Sequence, residues 1–112
     1  MNSKGNYLGE FEELILIAVA SLEEDAYGVS VMKYIIDQTG RKVNISAVHQ
    51  GLKRLERKGF VQSSVGGATQ VRGGRRKRFF ILTGNGKEIL QELMHLKIQL
   101  YSKVPGFKLK LT

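Results

Sequence analysis

The chain has no cysteine, no tryptophan and a single proline in 112 residues. Without thiols it forms neither disulfides nor thiolate metal sites, and a reducing cytoplasm is the expected compartment. Long hydrophobic runs are also missing. The longest candidate, Leu14 to Ala20 (LILIAVA), is too short to span a bilayer. Glu10, Glu12 and Glu13 precede it, where a secretory signal would carry positive charge. Acidic residues are scarce beyond residue 40: three glutamates remain against sixteen lysines and arginines.

What is present is a separation of charge. Residues 1–40 sum to −5, residues 41–80 to +10 and residues 81–112 to +3, giving the net +8. A surface that is merely soluble intersperses its signs. Separated signs point to a polyanionic partner, with the acidic first third facing away from it. The apolar fraction of 42% suits one globular domain with a single core.

Periodicity divides the chain. Leu8, Phe11, Leu14 or Ile15, Ala18 and Leu22 recur at helical spacing. The middle of that helix is apolar nearly all round, so it is either deeply buried or pressed against a second chain. Glu23 to Asp25 reads as a turn. A second helix starts near Tyr27-Gly28, turns Val31, Met32, Ile35 and Ile36 inward, and ends at Gly40. Lys42 to Ile45 leaves room for a very short strand. Ser46 is the expected N-cap of a third helix with Ile45, Val48, Leu52 and Leu55 as its buried stripe. Gly59 stops it. Strands around Phe60 to Val65 and Arg78 to Leu82 then flank a glycine-rich turn region, forming a hairpin. Thr83 is the expected cap of a fourth helix, which Pro105-Gly106 ends. The predicted fold is mainly α with a β-hairpin wing: a winged helix-turn-helix over residues 8–82 and one further helix over 83–102. Residues 1–7 and 103–112 read as tails.

The third helix exposes Ala47, His49, Gln50, Gly51, Lys53, Arg54, Arg57 and Lys58 in this scheme. Early residues of a recognition helix reach base edges and later ones meet phosphates. His49 and Gln50 have the hydrogen-bonding groups for the first task, and Ala47 suits a thymine methyl. Lys53 and Arg54 suit the second. The hairpin carries RGGRRKRFF from Arg72 to Phe80. Gly73-Gly74 permits a close approach to a phosphate or groove wall, and Arg72, Arg75 and Arg76 bring the charge. Phe79 and Phe80 read as packing residues. Gly51 is unusual in mid-helix, where glycine costs about 1 kcal/mol against alanine; either a close approach or a tolerated defect explains it.

Enzyme chemistry finds no support. His49 and His95 each lack a second ligand at metal spacing, and no nucleophile–base pair stands near either. Gly84-Asn85-Gly86-Lys87 fails the phosphate-loop spacing. No cofactor is expected.

Leu8 to Glu12 (LGEFE), Ala26 to Val29 (AYGV), Ala47-Val48, Leu52 to Glu56 (LKRLE), Lys58 to Val61 (KGFV), Arg72 to Phe80 and Leu82-Thr83 with Gly86 closely resemble the PadR-like transcriptional regulators in their short form. The resemblance runs in register from about Leu8 to Leu100. It implies a winged-helix homodimer that binds a pseudo-palindromic operator in duplex DNA, generally as a repressor. By position it adds Tyr27 and Ser46 to His49, Gln50, Lys53 and Arg54 at the DNA, with Arg72, Gly73 and Arg75 in the wing. It implies that the first and last helices build the dimer interface, from Phe11, Leu14, Ile15 and Ala18 and from Leu90, Leu93, Met94, Leu96, Leu100 and Tyr101. Some relatives hold an aromatic effector there, so a small aromatic ligand sensor is an alternative; a protein-interaction module for an acidic partner is another. The chain departs from the family at His49, usually tyrosine, and it has no tryptophan for a pocket of stacked indoles.

Overall fold

Acids gather at Glu10, Glu12 and Glu13, and there the first helix begins, with its positive dipole end against them. The computed structural model describes residues 8–66 and 76–107. Helix α1 spans Glu10–Leu22, and the Gly9 N–H at its start donates to Glu12 Oε1 at 3.1 Å. A 3-10 turn over Glu23–Asp25 follows. Helix α2, Gly28–Thr39, opens with the Tyr27 N–H donating to Ser30 Oγ at 2.9 Å. It closes on Gly40, whose φ of 73° lies in the left-handed region that favours glycine.

Helix α3 spans Ile45–Arg57. Its N-cap is Asn44 rather than the expected Ser46: Asn44 Oδ1 accepts from the Ala47 N–H at 2.8 Å. Both residue types cap well, and the backbone turns helical two residues earlier than the serine suggested. The expected short strand over Lys42 to Ile45 does not form. The extra pairing is made upstream instead, where Tyr27 bridges Phe79 and the Phe80 N–H donates to Ala26 O at 2.9 Å.

Strand β1 (Val61–Gly66) pairs antiparallel with β2 (Lys77–Leu82), in register from Val61 opposite Leu82 to Gly66 opposite Lys77. Helix α4, Gly84–Ser102, is capped as expected by Thr83, whose Oγ1 accepts from the Gly86 N–H at 3.0 Å. Among the described residues no helix is long and apolar enough to cross a membrane.

The core is built from Ile15, Leu16 and Val19 of α1, Val31 and Ile35 of α2, and Val48, Leu52 and Leu55 of α3. Phe60, Val61 and Phe80 extend it under the hairpin. Each such side chain contributes about 1.5–3 kcal/mol over an exposed one. Stability therefore resides in the three-helix unit; α4 buries only Ile89 among its large side chains. Ile15 and Ala18, expected to face a second chain, are fully buried in their own core. The close approach of α3 to α1 is the reason. A Cβ on Gly51 would lie 2.3 Å from Ile15 Cδ1, so this glycine, expected on the exposed face, is buried in a helix–helix contact.

Candidate nucleic-acid interface

Helix α3 buries Val48, Gly51, Leu52 and Leu55, which aims the opposite side outward. Ser46, His49, Gln50, Lys53 and Arg57 are all exposed there. Their spacing of three and four residues gathers Ser46, Gln50, Lys53 and Arg57 into one line, with His49 on its flank. His49 is seated by its neighbour. A Cβ on Gly28 would stand 2.5 Å from His49 Cε1, so the imidazole lies directly against the first turn of α2. Ala47 is half-buried at the other flank.

The hairpin is tied to this unit at its base. The Tyr27 ring meets Phe79 edge-on at 5.5 Å, and Lys77 Nζ sits 4.2 Å from the Tyr27 ring centroid. The Lys77 contact was not legible in the sequence, because it depends on the Tyr27–Phe79 bridge. Arg78 Nη1 donates to Ser63 Oγ at 3.1 Å, and Ser63 Oγ donates to Glu56 Oε2 at 2.8 Å. That chain links the hairpin to α3. Arg76 is exposed just before β2. Arg72, Gly73 and Arg75 lie outside the described residues.

Arg54 departs from its expected setting. Its Nε donates to Glu12 Oε2 at 2.8 Å, while Lys58 Nζ reaches Glu12 Oε1 at 2.9 Å. Glu12 is only 6% exposed. The acidic first third was expected to face away from the basic surface, yet this carboxylate lies beneath it. Burial pushes the Glu12 carboxyl up, but hydrogen bonds from Lys58, Arg54 and the Gly9 N–H outweigh that and hold it below the ordinary glutamate value. A carboxyl depressed by folding stabilises fully above its unfolded value, about 4.3. That stability is lost as pH falls through the folded value. The stability gap between wild type and Glu12→Gln, read by urea unfolding, should therefore be constant above about pH 5 and shrink below it. A gap that widens in acid would contradict the sign.

The other expected contact face is mixed. Phe11 and Leu14 are half-buried, and the Arg41 guanidinium lies 5.9 Å over the Phe11 ring. Leu90 and Leu93 are half-buried against the core. Met94, Leu96, Leu100 and Tyr101 are 47–56% exposed. Lys97 Nζ to Glu13 Oε1, at 2.7 Å, fastens α4 to α1. A groove of about 410 Å³ runs between Val19 and Ala20 of α1, Ile81 and Leu82 of β2, and Lys87 of α4, with Glu23 and Glu24 at its edge. Its lining includes no aromatic side chain.

The family profile described as the transcriptional regulator PadR-like family matches residues 16–92, more than half of the chain. The chain belongs to that family. Curated proteins yield no match to this PadR-like regulator. Solved structures do. It is similar to a PadR family transcription regulator from Clostridium difficile, with 26% identity, a TM-score of 0.61 and coverage of 81% of this chain and 91% of that one. A Streptococcus transcriptional regulator aligns with a TM-score of 0.70 and 18% identity over 86% of this chain and 89% of that one. A PadR-like transcriptional regulator from Bacillus cereus gives 0.68 and 17% over 82% and 84%. These likenesses show a shared winged-helix fold. The PadR-like family is one of transcriptional regulators, not of enzymes.

Proposed function

We propose that this PadR-like regulator is a homodimeric repressor that binds a pseudo-palindromic duplex. Its α3 enters the major groove, and its hairpin follows the backbone toward the minor groove. The observation that carries this reading is the outward line Ser46, Gln50, Lys53 and Arg57, flanked by His49, on a helix whose other side is wholly core. A helix of that kind is about the width the major groove admits. The hairpin adds Lys77, packed on the Tyr27 ring, and Tyr27 leads into the first turn of α2 against which His49 lies. Tyr27 is thus the piece that joins hairpin to helix. The dimer is supported by the apolar side chains that α4 exposes beyond Leu93. A twofold pair would present two α3 helices to half-sites about 34–36 Å apart. In this scheme residues 8–82 bind DNA and residues 83–102 dimerise.

Selecting duplexes from a random pool should return a twofold-symmetric consensus. On that duplex, Lys53→Ala should reduce the dependence of log affinity on log salt by about one unit of slope per subunit in contact. His49→Ala and Gln50→Ala should instead change which bases are preferred. Recovery of random sequences, with no symmetric consensus, would count against an operator.

A further inference from the structure

The Glu12 carboxylate is the one buried charge in the described core, and the DNA surface just outlined makes no use of it. All its neighbours are donors: the Gly9 N–H at 3.1 Å, Lys58 Nζ at 2.9 Å and Arg54 Nε at 2.8 Å. Glu12 belongs to α1, whereas both side-chain cations belong to α3. Arg54 spends its Nε on Glu12, yet its side chain keeps 41% of its surface exposed. Among the described residues the four N–H donors on its Nη atoms meet no acceptor, which leaves them for one outside this domain.

We propose that Glu12 is a positioning residue for DNA binding: from α1 it holds the Arg54 guanidinium in the orientation that meets a backbone phosphate beside α3. The inference rests on the DNA reading above and adds a residue that does not itself touch DNA. A free arginine side chain loses much rotamer freedom when it grips a phosphate. Here a buried carboxylate, itself fixed by a backbone N–H, has already removed that freedom. The cations stand between the carboxylate and solvent, so an approaching phosphate meets Arg54 before it meets Glu12. The same contact joins the helix that anchors α4, through Glu13 and Lys97, to the helix that faces DNA.

A competing effect has the opposite sign. If Glu12 only shielded Arg54 and Lys58, removing its charge would strengthen binding to a polyanion. Affinity of the full-length protein for a fluorescently labelled mixed-sequence duplex, measured across a salt series, separates the two. Glu12→Gln should weaken binding about 3- to 10-fold, the cost of ordering one long side chain on contact. Arg54→Ala should lower the salt slope by about one unit in wild type, and the affinity it costs should be about 3- to 10-fold smaller in the Glu12→Gln background. Equal or tighter binding by Glu12→Gln overturns the proposal, as does an equal affinity loss from Arg54→Ala in both backgrounds. Arg54→Lys is the variant to use should Glu12→Gln fail to fold. It keeps the charge near Glu12 but cannot serve carboxylate and phosphate with one fork, so it should bind as weakly as Arg54→Ala; wild-type binding by it overturns the proposal. A wild-type protein with no salt-dependent duplex affinity overturns the DNA reading itself, before Glu12 is considered.

Discussion

Replacing Gly86 by alanine should destabilise the protein by about 3 kcal/mol, at the upper end of what overpacking costs. Helix propensity argues the other way, since alanine is favoured over glycine by about 1 kcal/mol in a helix interior. Geometry decides between them. The new Cβ would lie 2.1 Å from Phe60 O and 3.0 Å from Phe60 C, which are backbone atoms. They cannot swing aside as a side chain would. Phe60 O accepts from the Thr83 N–H at 3.0 Å, and Thr83 Oγ1 donates to Gly59 O at 2.6 Å. Relief of the clash must therefore break the joint that sets α4 on the hairpin. Urea unfolding at fixed protein concentration measures the loss. Gly84→Ala is the control, because a Cβ there meets nothing within 4 Å. It should change stability by about 0.5 kcal/mol or less. Equal stability of the two variants would refute the argument.

Converting Leu96 and Leu100 together to aspartate should turn a dimer into a folded monomer and reduce operator affinity about 100-fold or more. The leucines are 50% and 56% exposed, so their own domain loses little by the change. A dimer that buries them would have to bury two unpaired carboxylates per chain instead. The affinity loss follows from valence: each subunit would then grip one half-site without the effective concentration its partner provides. Sedimentation gives the assembly state and a duplex titration gives the affinity. An unchanged dimer with both aspartates would place the contact elsewhere. Intact operator affinity in a proven monomer would remove the need for one.

The order of elements was legible because each had a local signal. Gly40 ends α2, Thr83 caps α4, and the stripe of α3 turns inward from Val48 on, whereas α2 buries Val31 and Ile35 but leaves the expected Ile36 exposed. The outward line of α3 followed directly from its buried stripe. The all-apolar stretch of α1 was harder, since periodicity could not say which side met its own core. Ile15 and Ala18 went inward because Gly51 lets α3 come close; Gly51 itself could not reveal that contact. The Asn44 cap was two residues from the serine chosen, within the reach of two equally good signals. Glu12 was the deeper miss. Glutamate in the first turn of a helix reads as a surface dipole partner, and only the packing of α1 on α3, across more than forty residues of chain, buries it beside Arg54 and Lys58.

Past Leu93 helix α4 is tied to α1 by the Lys97–Glu13 ion pair, and it is about 28 Å long. A tilt of about 5° at its root would carry its far end about 2 Å sideways. In a symmetric pair joined along such helices, each subunit would swing by a matching amount. The distance between the two reading heads would then be set by the close joint at Gly86 and Phe60, without any change in the heads themselves.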